Sequence, residues 1–290
     1  MDYGNKILRK LFGKPVLPKI NLSRRDIMIN VRLLAGKLSI SGVQPKISLA
    51  LSKNELVPIK AKGQFILKPQ NELFENLPEN EALCMMIAEK IGINTAPNIL
   101  VELSDKTLAF LVKRFDRLPY NKKLHVEDFS QILEKDKYKG SYEQIGKYIR
   151  THKNLGLLQV QYFFERVVLN FIIGNADAHL KNFSILWEKD DKYILSPAYD
   201  IVSSKLVIPE EEDETALAIN GRHSSIRKKD FIEFGKHVGL QENYIKEYLQ
   251  KCINFKDEIF HLTDNSCLPE KQKVIFKAIV QNNVDKLLKY

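Results

Sequence analysis

Two carboxylates and one amide in the middle of the chain have the types and spacing that phosphoryl-transfer chemistry needs. Asp177 and Asn182 lie five residues apart in the run Asn175-Ala176-Asp177-Ala178-His179-Leu180-Lys181-Asn182, and Tyr199-Asp200 follows eighteen residues after Asn182. An enzyme that phosphorylates an alcohol needs a carboxylate to take the acceptor hydroxyl's proton. It also needs oxygen-bearing side chains to hold a metal ion on the nucleotide phosphates. Asp177 suits the first task. Asn182 and Asp200 suit the second, because Mg²⁺ takes hard oxygen ligands in near-octahedral array. Asp and Asn at this spacing also occur in ordinary loops and caps, so the rest of the chain decides.

Three further pieces precede this loop. Ser39-Ile40-Ser41-Gly42-Val43-Gln44-Pro45-Lys46 is a small-residue turn feeding the alternating apolar strand Ile47, Leu49, Leu51. Gly42 lets backbone approach a phosphate closely, and successive N–H groups there can form an anion-binding concavity; an ordinary polar turn before a strand has the same look. Phe65-Ile66-Leu67-Lys68-Pro69 is a short apolar strand carrying a lysine that can reach the α- and β-phosphates as a point charge. Asn80-Glu81 opens a helix with Pro78 near its first turn, an apolar face of Leu83, Met86, Ile87 and Ile91, and Gly92 as its stop. Glu81 can pair with Lys68, or it can simply complement the helix dipole.

In this order the motifs resemble the HipA family of serine/threonine kinase toxins. The resemblance rests on Ser-Ile-Ser-Gly-Val-Gln-Pro-Lys, Ile-Leu-Lys-Pro, Lys113-Arg114-Phe115-Asp116-Arg117, the stretch from Gly174 through Ser184, and Pro197-Ala198-Tyr199-Asp200-Ile201. It runs from Leu38 to beyond Asp200 and more loosely through the C-terminal helices. It implies an α+β, two-lobed protein-kinase-like fold, with a β-rich N-lobe over residues 1–116 and a mostly helical C-lobe over 117–290. It also implies ATP and Mg²⁺ as cofactors and a role for each matching residue. Ser41, Gly42, Val43, Gln44, Pro45 and Lys46 would line the ATP phosphates, with Lys68 in direct contact and Glu81 behind it. Lys113, Arg114 and Phe115 would meet the adenine through their backbone. Asp177 would be the catalytic base, with His179, Lys181 and Asn182 against nucleotide and metal, and Tyr199-Asp200 supplying the second metal ligand. Ser39 and Ser41 would be autophosphorylation sites. Ala-Asp stands where ordinary eukaryotic kinases have His-Arg-Asp, and Tyr-Asp-Ile where they have Asp-Phe-Gly; both belong to the HipA pattern.

Only residues 1–38 precede the loop, and the Ser-Ile-Ser doublet looks like the short HipT branch of the family. That resemblance implies a small HipS-like partner, a helix-turn-helix HipB-like antitoxin that carries operator-DNA binding, and an aminoacyl-tRNA synthetase substrate, the tryptophanyl enzyme favoured. Two other classes share the core residues: a small-molecule or lipid kinase of similar fold, and a non-catalytic pseudokinase subunit of a repressor complex. The serine doublet speaks against the first and the intact catalytic positions against the second.

The elements that must position these residues are legible in outline. Strands are expected at 47–51, 65–68, 99–103 and 107–113 around a helix at 80–91, with short strands at 183–187, 192–195 and 215–219 about the metal loop. An apolar helix over 155–173 delivers the catalytic loop, and three helices (228–238, 241–260, 269–289) close the chain. With 290 residues and 44% hydrophobic content the chain can bury two cores. No run of eighteen apolar residues and no secretory signal is visible, so the expected location is cytoplasmic. Cys84, Cys252 and Cys267 are widely spaced and read as reduced thiols packing as small hydrophobes. The net charge of +9 is scattered, without a recognition helix. The acidic run at 210–214 reads as a solvated loop or an attractor for a basic substrate segment. Gly140 to Gly146-Lys147 is not a P-loop: its spacing is one residue too long, and Tyr148 stands where a metal-binding Ser or Thr is needed.

Overall fold

The computed structural model describes residues 4–35, 45–118, 122–188 and 192–289. They fall into two units, Met1–Ala82 with Ala96–Lys123, and Leu83–Thr95 with Leu124–Tyr290.

The first unit begins with helices α1 (Asn5–Phe12) and α2 (Arg24–Ala35), which the strand-rich reading of this region did not anticipate. In α1, Leu8, Leu11 and Phe12 share one buried face at helical spacing, and the helix stops at Gly13 with φ +73°. Strands β1 (Ile47–Ser52) and β2 (Glu55–Pro58) form a hairpin across Lys53 and Asn54. Both turn residues have positive φ, the conformation that matches the right-handed twist of a two-residue connection. Strand β3 (Phe65–Pro69) pairs with β1. Helix α3 (Leu77–Ile91) follows, then β4 (Asn98–Glu102) and β5 (Leu108–Lys113). The sheet order is β2-β1-β3-β5-β4, with every pair antiparallel. Its core joins Leu11 and Phe12 of α1 to Leu49, Phe65, Leu67 and Leu111, with the Phe12 and Phe65 rings 5.3 Å apart. Leu51, expected to continue the apolar face of β1, is exposed; so is Met86 on α3, where Met85 is buried instead.

The second unit carries a small antiparallel sheet of β6 (Val126–Asp128), β7 (Ser184–Trp187) and β8 (Tyr193–Leu195), in the order β6-β7-β8. Asp128 and Gln131 form a reciprocal capping box at the start of α4 (Phe129–Ile132). Helices α5 (Tyr142–Thr151) and α6 (Leu157–Ile172) follow, then α7 (Ser204–Val207), α8 (Lys228–His237), α9 (Glu242–Asn254), α10 (Lys256–Asp264) and α11 (Glu270–Leu288). The expected single helix over 241–260 is thus two, α9 and α10, meeting at Phe255, whose N–H caps α9 by bonding back to Lys251 and Cys252. No Gly or Pro marks that bend. Residues 215–219 form no strand. Ala218 and Ile219 make isolated bridges, because the Asn220-Gly221 turn folds Ile219 back onto Arg222.

Cys84 and Cys252 are buried as expected, but Cys267 is exposed. The acidic run is partly structural: Glu214 pairs with Lys286 at 2.8 Å and accepts the Ile226 N–H at 2.8 Å. No helix among the described residues is long and apolar enough to cross a membrane.

Gly146 lies inside α5 as a packing residue. A Cβ there would stand 2.3 Å from Val238 Cγ1 and 2.9 Å from Val238 Cβ. Alanine favours a helix over glycine by about 1 kcal/mol, but the overlap with a branched side chain near its backbone should outweigh that gain. Gly146→Ala is expected to lose roughly 1–3 kcal/mol, read as a lowered urea midpoint; an unchanged or raised midpoint would show that α5 and α8 separate freely.

Candidate active site

In the first unit a charged side chain lies within a run of buried ones. Lys68 on β3 is 8% exposed, opposite Phe110 of β5 in register, with its Nζ 5.8 Å from the Phe110 ring centre. A buried ammonium is costly unless paired. Glu81 in α3, itself 2% exposed, meets it with both carboxylate oxygens, at 2.7 and 2.9 Å.

The segment expected to meet adenine is held from several sides. The Lys113 N–H donates to Pro97 O and the Arg114 N–H to Gln64 O, each at 2.8 Å. Both donors are therefore engaged within the unit, and an adenine contact through them would have to break sheet bonds. Lys113 Nζ donates to Lys10 O at 3.1 Å, and burial lowers its pKa. Arg114 makes two bonds of 2.8 Å to Asp116. Burial pushes the Asp116 carboxyl up, but the Arg114 bonds and charge, with Arg117 and Lys123, outweigh it and hold the group below its ordinary range. Pro45 is half-buried and Lys46 exposed at the head of β1. Ser39, Ser41, Gly42, Val43 and Gln44 lie outside the described residues.

In the second unit α6 delivers the loop. Phe163, Phe164, Val167, Val168 and Phe171 are all buried, and Phe163 packs edge-on to Phe183 at 5.2 Å. The last carbonyls of a helix lack partners within it; here Asn283 of α11 donates to Phe171 O at 2.8 Å. Gly174 then turns the chain with φ +71°, where a Cβ would also meet Ile279 Cγ2 at 2.7 Å. Asn175 closes the turn twice: its N–H donates to Asn170 O (2.8 Å) and its side-chain amide to Asn170 Oδ1 (2.9 Å). The Ala176 N–H donates to Ser204 Oγ at 2.8 Å, and the Asp177 N–H to Asn175 Oδ1 at 3.2 Å. The backbone is thus fixed on both sides of Asp177 while the carboxylate itself is exposed.

One turn of 3₁₀ helix, Leu180–Asn182, carries the chain onward. Asn182 Oδ1 accepts the His179 N–H at 2.9 Å, and Asn182 Nδ2 donates to Asp200 Oδ2 at 3.1 Å. Asp200 is exposed and holds φ +59°, an uncommon conformation that Asp tolerates better than most residues. The neighbouring Tyr199 ties the two segments together: its hydroxyl donates to Lys181 O at 2.8 Å and lies 2.5 Å from Ser184 Oγ. Burial raises the Tyr199 pKa, which keeps it a donor. His179 is 8% exposed. Burial, helped by Lys137, lowers its pKa against the pull of Asp177, so it stays neutral at neutral pH. Its Nδ1 is buried with no hydrogen-bond partner among the described residues. The Lys181 side chain is exposed.

Asn182 turns its Nδ2 to Asp200 and its Oδ1 to the His179 N–H, so an ion here would take the second lone pair of that amide oxygen together with the Asp200 carboxylate; such a pair suits Mg²⁺, which takes few protein ligands and completes its shell with water and phosphate. Among the described residues no group of three or more His, Cys, Asp or Glu side chains could hold a metal ion. Sequence reasoning missed Tyr138, whose hydroxyl donates to Asp177 Oδ1 at 2.6 Å, and Tyr142, which donates to Ala178 O at 2.9 Å. Neither lies in a motif; both reach the loop only through folding.

The profile of the HipA-like C-terminal domain matches residues 38–259. The chain belongs to the HipA-like family. A Haemophilus influenzae protein that bears the name "Putative kinase" is 31% identical over 283 residues, covering 87% of this chain and 82% of its own length. The Shewanella oneidensis serine/threonine-protein kinase toxin HipA is 26% identical over 233 residues, 72% of this chain and 53% of its own. This chain therefore spans about half the length of that toxin. In fold it matches the Shewanella oneidensis HipA solved with HipB and operator DNA, with TM-score 0.71 at 23% identity, over 87% of this chain and 65% of the other. It also matches the Helicobacter pylori proinflammatory kinase CtkA, with TM-score 0.58 at 16% identity, over 87% and 91%. The fold is the two-lobed, kinase-like α+β fold.

Removing Glu81 should cost more than removing the ion pair. Glu81→Ala leaves a buried ammonium without its counter-charge and is expected to lose about 3–5 kcal/mol, whereas Lys68→Met with Glu81→Leu should lose far less. Urea unfolding of both variants decides; equal losses would mean that packing, not charge, sets the stability here.

Proposed function

We propose that this chain transfers the γ-phosphoryl group of ATP to a serine or threonine hydroxyl of another protein. The observation that carries the reading is the proximity of Asn182 and Asp200, joined by a hydrogen bond of 3.1 Å from Asn182 Nδ2, next to the loop that also presents Asp177 to solvent. The buried Lys68–Glu81 pair of the first unit supports it independently.

In this reading Lys68, oriented by Glu81, sets its ammonium on the α- and β-phosphates, and the 41–46 loop lines them with backbone N–H groups. Lys113, Arg114 and Phe115 lie along the adenine; with two of their N–H groups engaged, their carbonyls and Phe115 are the atoms to test. Asn182 and Asp200 would hold Mg²⁺, which would supply positive charge against the phosphates. His179, Lys181 and Tyr199 fix those two ligands. Asp177 orients the acceptor hydroxyl and receives its proton as the new P–O bond forms and the bond to the β-phosphate oxygen breaks, releasing ADP. Most of the acceleration comes from position and charge.

The finer reading follows the HipT-like pattern. The acceptor is an aminoacyl-tRNA synthetase, the tryptophanyl enzyme favoured, and its phosphorylation in the cytoplasm arrests translation. Ser39 and Ser41 are autophosphorylated. The partners are a HipS-like small protein and a HipB-like antitoxin that brings operator DNA. The likeness to the Shewanella oneidensis HipA solved with HipB and operator DNA supports an antitoxin and DNA as partners. The relationship to the serine/threonine-protein kinase toxin HipA supports a serine or threonine acceptor.

Transfer of label from [γ-³²P]ATP tests this. Asp177→Asn should lower kcat by about 100- to 10,000-fold, and label should enter the tryptophanyl enzyme in preference to the glutamyl one. Label in the kinase alone would leave the chemistry and remove the synthetase. No label anywhere, after phosphatase treatment of the chain, would remove the kinase.

A further inference from the structure

The segment that leads from α4 into the first residue of α5 is fastened along the catalytic loop at three points. The Leu180 N–H donates to Lys137 O at 3.0 Å, the Tyr138 hydroxyl to Asp177 Oδ1 at 2.6 Å, and the Tyr142 hydroxyl to Ala178 O at 2.9 Å. The segment is itself braced, with Ser130 Oγ donating to Lys135 O at 2.6 Å and Tyr142 fully buried. The Tyr138 ring is gripped on two sides: Lys137 Nζ sits 4.4 Å from its centre, and the His179 ring meets it edge-on at 5.2 Å. The phenol therefore reaches Asp177 from one direction.

The two oxygens of Asp177 stand in different situations. Oδ1 takes the short bond from Tyr138, while Oδ2 receives no hydrogen bond among the described residues. An exposed Asp carboxylate rotates broadly about its last torsion. One strong donor on one oxygen selects an orientation and leaves the other oxygen's lone pairs for an incoming hydroxyl. We propose that Tyr138 is a positioning residue for phosphoryl transfer: it locks Oδ1 of Asp177 so that Oδ2 faces the acceptor hydroxyl. This rests on the kinase reading and adds to it a residue outside every family motif in the chain. Burial and the Asp177 carboxylate both push the Tyr138 phenol well above its ordinary pKa, so it donates throughout the working pH range. The same geometry has an opposite functional sense, in which the phenol takes the acceptor's place and blocks it. The Tyr138 ring is half-exposed, but the bonds at Lys137 and Tyr142 hold the chain on both sides of it, which favours a permanent part of the loop over a plug that must leave at each turnover.

Tyr138→Phe removes one oxygen and keeps the ring contacts. In steady-state transfer to the protein acceptor, kcat should fall about 10- to 100-fold, the worth of a hydrogen bond to a charged group, with KM for ATP unchanged. KM for the protein acceptor should change far less than kcat, because the bond acts on the aim of the carboxylate and not on acceptor binding. Tyr138→Ala should be at least as slow. An active wild type with unchanged kcat in Tyr138→Phe would overturn the proposal alone, and so would a faster Phe or Ala variant, which marks a plug. A wild type that binds ATP yet transfers nothing would overturn the kinase reading and this proposal together.

Discussion

A carboxylate that must be open to solvent and yet fixed in place needs a support that does not yield, and α6 is that support in the second unit. Its buried faces leave it no freedom to roll, and its C-terminal carbonyl is held from α11 through Asn283. The turn at Gly174 and the double closure between Asn175 and Asn170 pass that rigidity to the loop over a few residues. Asp177, Asn182 and Asp200 depend on it. Asn182 is oriented by the His179 N–H, and Asp200 by Asn182, so an error at the helix end would propagate to each of these side chains.

The two units handle charge in opposite ways. In the first, Lys68 and Glu81 are buried and complete each other, a solution that favours precise placement over net stability. In the second, Asp177 and Asp200 stay exposed while the backbone about Asp177 is anchored. Asp200 holds a left-handed backbone conformation there, the sort of local cost that persists where the surroundings impose it.

The parts legible in the sequence were those whose chemistry demands close spacing. Asp177 and Asn182 share one short loop, Lys68 lies near the end of a short apolar strand, and Glu81 lies in the second turn of a helix that begins at Leu77 rather than at the expected residue 80, so local order was enough to single them out. Tyr138 was not legible, because its partner Asp177 is 39 residues away and the intervening segment carries no motif. The bend between α9 and α10 was hidden for a different reason: the helical pattern runs through Phe255 without a breaker, and tertiary packing makes the turn. Strand propensity at 215–219 gave way to the Asn220-Gly221 turn, which folds that segment back before a ladder can form. In the acidic run, Glu214 reads as solvated by composition but is claimed by Lys286, a residue 72 positions away.

The central claim is that Asn182 and Asp200 hold a divalent ion on a nucleotide. Electron paramagnetic resonance of Mn²⁺ titrated into the full chain with a non-hydrolysable ATP analogue tests it directly, comparing wild type with Asp200→Asn and checking both for native circular dichroism. Wild type should immobilise Mn²⁺ only when the analogue is present, and the folded variant should bind it at least ~10-fold more weakly, the order of loss seen on disturbing a metal site. Equal Mn²⁺ binding by the two proteins, or binding that does not require the nucleotide, would contradict the account.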